Sequence, residues 1–371
     1  MNIVLFYHSL LSDWNHGNAH FLRGVATELI LRGNEVSIYE PEDSWSLSSL
    51  LKEHGEKVIA DFHRYYPLLQ SIKYNRDTIK LDKVLRDADL VIVHEWNEHS
   101  LVQRIGEMRK KMPFRLLFHD THHRAVTDRE SMKAYDLSAY DGVLAFGKVI
   151  RDIYCKEGWA KRAWTWHEAA DTRIFKPMAS KDIEGDFVWI GNWGDDERTK
   201  ELFEFIIQPV KELKLKAKIY GVRYPDHAKK ALADAGIEYG GWLPNFKAPE
   251  VFAKYRFTAR VPRGPYVRSL PGIPTIRPFE ALACAIPLLS SPWNDAEDLF
   301  TPGKDFLFAR NGKEMKGCMQ RVISDDSMVA DMTKHGLKTI WKNHTCSHRV
   351  DELYTICEEL GIKNISKQIQ L

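Results

Sequence analysis

Short apolar runs recur along this chain, each closed by turn-forming residues and followed by a stretch of helical period. Asn2 to Tyr7 is a continuous apolar run, as expected for a strand buried on both faces. The spacing of Phe21, Leu22, Val25, Leu29 and Leu31 predicts a helix from about Ala19 to Leu31, stopped by Gly33. Glu35 to Tyr39 reads as the next strand, which makes a β–loop–α–β unit and therefore a parallel sheet. Residues 44–86 read as largely helical. Further strands are expected at 89–93, 115–118, 142–146 and 163–166. A polar linker at 179–186 precedes a second series: a strand at 187–190, a helix at 198–213, a strand at 217–220, a helix at 226–235, and strands at 237–239, 254–261 and 288–289. Two Rossmann-like, doubly wound α/β domains facing a cleft are expected, over residues 1–170 and 180–342. Leu353, Ile356, Cys357 and Leu360 mark an amphipathic helix within 343–371, expected to pack back on the first domain.

Composition narrows the partners. Lys+Arg 53 against Asp+Glu 51 gives a net charge of +2, so no bulk field recruits nucleic acid or an anionic membrane. Nucleic acid is therefore an unfavoured partner. The five cysteines are an odd number without a C-x-x-C pair, which reads as reduced thiols in a cytoplasmic protein. MNIVLFY meets Asp13 soon after and is not a signal peptide. No apolar run approaches the length of a transmembrane segment. The first loop lacks G-x-G-x-x-G, so the dinucleotide fingerprint is absent.

Polar residues collect where strands should end, the edge at which open α/β sheets bind ligands. His94-Glu95-Trp96 follows one strand and His119-Asp120-Thr121-His122-His123-Arg124 another. The histidine cluster could ligate a metal, cap a strand end, or place His119 and Asp120 at a reaction site. In the second half, Gly191 closes a strand and Arg198 opens a helix, where it could grip phosphate oxygens or lie solvated. Trp242 could stack on a nucleobase or be core. Arg263, Arg268 and Arg277 bracket the turn Pro271-Gly272-Ile273-Pro274. Pro278 confines the next helix to a start near Thr275, a plausible N-cap. Free N–H groups there suit a diphosphate, and Glu280, one turn in, could accept both hydroxyls of a ribose or merely complement the helix dipole.

Four segments, in order, resemble a GT-B glycosyltransferase of the family 4 type, similar to CgeB-like spore-maturation proteins. They are Leu31 to Val36, Ala170 to Pro177 (ADTRIFKP), Phe187 to Leu202, and Phe279 to Pro287 (FEALACAIP). The resemblance implies a nucleotide-diphospho-sugar donor, UDP-linked, on the C-terminal domain, with Glu280 on the ribose, Arg198 and Arg263 on the phosphates, and the 272–275 amides (Gly272, Ile273, Thr275) on the distal phosphate. It implies that His119 faces the donor sugar, and that the N-terminal domain, with its loop His16-Gly17-Asn18, holds a hydroxyl acceptor: a glycan, small molecule, lipid-linked glycan or protein. Metal-independent, retaining transfer without a separate cofactor follows, the nucleotide sugar being a substrate. Two positions depart from the family's pattern. Gly272 stands where E-x7-E has its first glutamate, which leaves retention against inversion open, with His16 or His20 the base of an inverting enzyme. Ala285 stands where the pattern has glycine. A non-catalytic protein of this fold in spore or envelope assembly, or a nucleotide-sugar epimerase, is the alternative.

Overall fold

In a computed structural model that describes residues 1–180, 182–194 and 197–363, the chain forms two parallel sheets, each clothed by helices. Lys181 of the expected linker, Asp195 and Asp196 of the 187–202 segment, and residues 364–371 of the expected C-terminal segment lie outside the described residues. Contacts between residues divide the chain into one unit of Met1–Glu168 with the segment that begins at Cys346, and a second unit of Ala169–Thr345.

The first unit is built on β1 (Asn2–Phe6), β2 (Glu35–Pro41), β3 (Ser71–Tyr74), β4 (Leu90–His94), β5 (Arg115–Asp120), β6 (Gly142–Ala145) and β7 (Ala163–Thr165). They lie in the order β3-β2-β1-β4-β5-β6-β7, all parallel, with Ile3 opposite Val36 on one side and Leu90 on the other. The strand order reverses at β1/β4, the place where such sheets open a crevice at their carboxyl edge. The first helix spans Ala19–Leu31 and buries Phe21, Leu22, Val25 and Leu29 on the sheet, each burial contributing ~1.5–3 kcal/mol. It stops where Gly33 takes φ +79°. The helix Cys346–Glu359 lies against it: Arg32 bonds to Ser347 and pairs with Asp351 at 2.5 Å, and Asn34 Nδ2 donates to the Tyr354 hydroxyl at 2.6 Å.

Residues 44–86 are less helical than expected. Helices Trp45–His54 and Lys57–Tyr65 form, and the chain then enters β3. Ile72 and Lys73 are exposed on this edge strand, so no apolar alternation marks it, and Lys73 reaches Glu40 at 3.1 Å instead.

The second unit carries β8 (Gly185–Ile190), β9 (Ala217–Tyr220), β10 (Ile237–Tyr239), β11 (Tyr255–Arg260), β12 (Leu288–Ser290) and β13 (Leu307–Phe308), in the parallel order β10-β9-β8-β11-β12-β13. Its strand order reverses at β8/β11. The helix expected from Arg198 to Leu213 runs from Thr199 but widens to a π turn at Phe203–Ile207. Pro209 has no N–H to give the carbonyl of Phe205, so the ladder slips there. Trp189, Phe205, Ile206, Phe257 and Met319 pack the core behind this sheet. No helix among the described residues is long and apolar enough to cross a membrane.

Candidate active site

At the carboxyl edge of β8/β11 three arginines converge. Arg198 donates to the backbone carbonyls of Val261 (2.6 Å), Asn192 (2.5 Å) and Trp193 (3.4 Å), and its guanidinium lies 5.0 Å from the centre of the Trp189 ring. Among the described residues no carboxylate pairs with it. Burial, with Arg263 nearby, pushes its pKa down to about 9. Arg260, the last residue of β11, is 3% exposed. It donates through Nε to Pro274 O at 3.0 Å and lies 4.4 Å over the Trp293 ring, while its second terminal nitrogen is buried without a partner. Burial holds its pKa down to about 9 as well, against the pull of Asp295. A half-buried and a buried cation, held by carbonyls rather than by any carboxylate among the described residues, make a place suited to an anion. Arg263 lies beside Arg198 and is itself ion-paired to Glu197 at 3.5 Å. Gly194 makes the convergence possible: at φ +96°, a side chain there would meet Arg198 Nε at 3.1 Å and Arg263 Nε at 3.6 Å. Gly191 ends β8, with Trp189 packed where its side chain would be. Trp242 is half-buried just past the carboxyl end of β10. Arg268 is exposed, and its guanidinium lies over Gly264, next to Arg263 in the chain.

The turn that follows differs from expectation in its donors. The Gly272 N–H is given to Asn294 O at 2.8 Å and that of Ile273 to Leu270 O at 3.4 Å, and Pro274 has none. The helix Ile276–Ala283 does begin after Thr275, but the threonine side chain makes no capping bond. Thr275 takes φ +60° and ψ 178°, a region almost reserved for glycine, which costs of order 1–3 kcal/mol. The N–H groups of Thr275, Ile276 and Arg277 donate to no backbone carbonyl among the described residues. They, not those of Gly272 and Ile273, are the donors at this helix start. Glu280 is 1% exposed and ion-paired to Arg277. Gly272 takes φ +86°, which strains any other residue, and it lies against the Glu297 side chain, whose Cγ and Oε1 would be 2.6 and 2.7 Å from an added Cβ. The carboxylate of Glu297 thus stands beside Gly272. Ala285 adopts φ +54°, the conformation for which glycine is better suited.

In the first unit the carboxyl edge of β1, β4 and β5 carries a run of imidazoles. His8 and His16 meet edge to face at 4.2 Å, His8 and His94 stack at 5.3 Å, and His94 meets His119 at 5.4 Å. Two buried charges hold the loop that brings His8 and His16 there. Arg23 binds Leu10 O, Leu11 O and Asp13, and Glu40 accepts from the N–H groups of Leu10 and Leu11. All four imidazoles are kept neutral by burial: His8 and His119 are pushed down to about 3, and His16 and His94 well below the usual range. His94 Nδ1 accepts from Trp96 N–H at 3.4 Å, so its Nε2 donates to Thr121 Oγ1 at 3.0 Å. His119 is 1% exposed, wedged between Phe21 and Trp166, with Nε2 unpartnered among the described residues. Asp120 is built into the strand end: one oxygen accepts from His122 N–H at 3.0 Å and the other from Tyr154 at 2.9 Å. Burial and the neighbouring Glu95 raise its pKa well above the carboxylate range. Asn18 is tied to Thr121, Gly17 is exposed, and His20 is buried on its helix. No group of three His, Cys, Asp or Glu among the described residues is placed to hold a metal.

Residues 198–355 match a family model described as "Glycosyl transferase-like". Similar folds span nearly the whole chain. The sucrose-phosphate synthase of Thermosynechococcus elongatus matches with a TM-score of 0.67 at 11% identity, covering 97% of this chain and 99% of that one. The Anabaena protein HepE, solved with UDP and glucose, matches at 0.68 and 13%, covering 96% and 99%. An alpha-glucosyltransferase solved with UDP and a 13-mer DNA matches at 0.70 and 13%, covering 96% and 99%. A search of curated protein sequences gave no match. The chain has the fold of these proteins: two Rossmann-like α/β domains, as the strand pattern led one to expect.

Proposed function

We propose that this protein is a glycosyltransferase that moves a sugar from a nucleotide-diphospho-sugar to a hydroxyl acceptor. One observation carries the proposal: half-buried Arg198 and buried Arg260 meet no carboxylate among the described residues and converge, beside Arg263, near a helix start whose first N–H groups donate to no backbone carbonyl among them. A diphosphate supplies the missing charge at that place. In this reading Glu280 accepts the ribose hydroxyls, Trp242 stacks on the base, and Glu297 is the carboxylate nearest the transferred sugar. UDP is the donor nucleotide of choice, because solved neighbours of the same fold hold UDP. The glycosyl transferase-like segment covers the arginine site and Glu280, which supports the same assignment.

In the reaction, the bond from the anomeric carbon to the diphosphate oxygen breaks, and a bond to the acceptor oxygen forms. The acceptor proton passes to the departing diphosphate, which the arginines stabilise as its charge develops. Retention, independence of metal, and membership of the family 4 type near the CgeB-like proteins belong to this proposal, as does an acceptor that is a glycan, small molecule, lipid-linked glycan or protein. Neutral His119 fits a hydrogen-bonding role at the sugar better than that of a charged acid. The test is to incubate the protein with UDP-glucose, UDP-galactose and UDP-N-acetylglucosamine without acceptor and to measure UDP released. Slow release from one of them, abolished in Arg198→Ala, is expected; no release from any donor, GDP-linked sugars included, contradicts the proposal.

A further inference from the structure

A separate cavity of ≈ 160 Å³ opens at the carboxyl edge of β1 to β4, lined by His8, Ser44, Trp45, Tyr74, Trp96 and Asn97 among others. At ~30 Å³ per water it has room for about five waters, one small ring rather than a chain. Trp45 and Trp96, on opposite elements, are 55% and 41% exposed, unusual for the largest apolar side chains. Both are braced rather than loose. Arg124 lies 4.3 Å over one face of Trp96, held there by Glu95 at 2.8 Å, and Trp14 meets Trp45 edge to face at 5.7 Å. The polar wall is equally fixed: Asn97 donates to Phe6 O and His94 O at 2.8 Å each, and Tyr74 reaches Asn97 at 3.3 Å.

Charge decides what such a pocket takes. Arg76, the one cation among the described residues that line it, lies between Glu98 at 2.8 Å and Asp43 at 3.2 Å, so a phosphate or a nucleic acid finds no unpaired positive charge among them. Aromatic faces with polar groups at their margin suit a sugar ring, whose C–H face is apolar and whose rim is hydroxyl. Neutral His8 has Nδ1 buried without a partner among the described residues, and a neutral imidazole keeps one nitrogen able to accept from a hydroxyl.

We infer that this cavity is a binding subsite for one neutral sugar ring of the acceptor, held between Trp45 and Trp96 with a hydroxyl toward His8. The binding stands on the pocket alone; its place in transfer rests on the proposed glycosyltransferase function. The cavity lies at the strand-order reversal of its sheet, where a crevice is expected.

Saturation-transfer NMR on the full chain tests it, with UDP present to fill the donor site. The probes are glucose, galactose, mannose and N-acetylglucosamine, against glucose 6-phosphate and a single-stranded oligonucleotide. At least one neutral sugar is expected to bind in about the millimolar range and to weaken roughly tenfold in Trp45→Ala and in Trp96→Phe. Trp45 is exposed enough that its loss leaves the fold intact, which a melt verifies. No contact by any neutral sugar, contact indifferent to both variants, or preference for the phosphorylated or nucleic-acid probe overturns the subsite. Calorimetry with UDP on the same samples separates the two ideas. UDP binding without sugar contact removes the subsite alone, and tryptophan-dependent sugar contact without UDP binding removes the donor assignment alone.

Discussion

Replacing Arg260 by methionine should weaken UDP binding without destabilising the free protein. The substitution keeps length and removes charge. Arg260 is 3% exposed, and its pKa, held down to about 9, reports the cost of keeping a guanidinium charged there. At ~1.36 kcal/mol per unit, that cost is a few kcal/mol. Methionine removes it, while leaving Pro274 O without its 3.0 Å donor, a loss of ~1–3 kcal/mol. The first is the larger of the two, so the melting temperature should stay level or rise, at ~2–4 °C per kcal/mol for a unit of this size. A charged donor near a diphosphate contributes ~1.5–3 kcal/mol, so affinity for UDP should fall about ten- to a hundredfold. A melt of the free protein beside a UDP titration reads both numbers. A variant that melts lower and binds UDP as well as the parent would show that Arg260 only braces the Pro271–Thr275 turn, and the reasoning would fail.

Three other outcomes are expected. Truncation after Asn343 removes the helix Cys346–Glu359 with buried Val350, Leu353, Ile356 and Cys357, so limited proteolysis should cut the Met1–Glu168 unit faster; an unchanged digest refutes that packing. His119 titrates near 3 when folded and near 6.5 when unfolded. Between those values the unfolded chain binds more protons, so stability is present above ~6.5 and is lost as pH falls. From pH 7 to 5 the loss is about 2 kcal/mol for this residue. Urea midpoints should therefore drop less over that interval in His119→Gln than in the parent, and equal drops would contradict the neutral imidazole. Glu297→Gln should lower UDP release from the donor while leaving UDP affinity within a few fold; equal loss of both would make Glu297 a support of the turn.

Much of the scaffold is written in local pattern. β1, β4 and the helix Ala19–Leu31 fall close to where apolar spacing puts them, because burial on both faces of a parallel sheet demands continuous apolar runs. β3 escaped, since an edge strand that buries little needs no such run. The π turn at Phe203–Ile207 follows from Pro209, a signal present in the sequence but read as ordinary helix. The site was harder to see. Glu280 and Arg198 sit in recognisable segments, whereas Arg260 ends a strand, where an arginine normally reaches solvent, and only the fold shows it closed in beneath Pro274. Glu297 is remote in sequence from Gly272 and meets it only through the turn. His8 was hidden just beyond the first strand, and its partners His16, His94 and His119 come from three separate loops and strand ends.

Calorimetric titration of UDP into the full chain and into Glu280→Gln tests the donor assignment most directly. Glu280 is buried, ion-paired to Arg277 and one turn into the helix whose free N–H groups stand beside the arginines. The account predicts one UDP bound per chain and affinity at least about tenfold weaker in the variant, ~1.4 kcal/mol. A parent that takes up no UDP, or a variant that binds it as tightly as the parent, would contradict it.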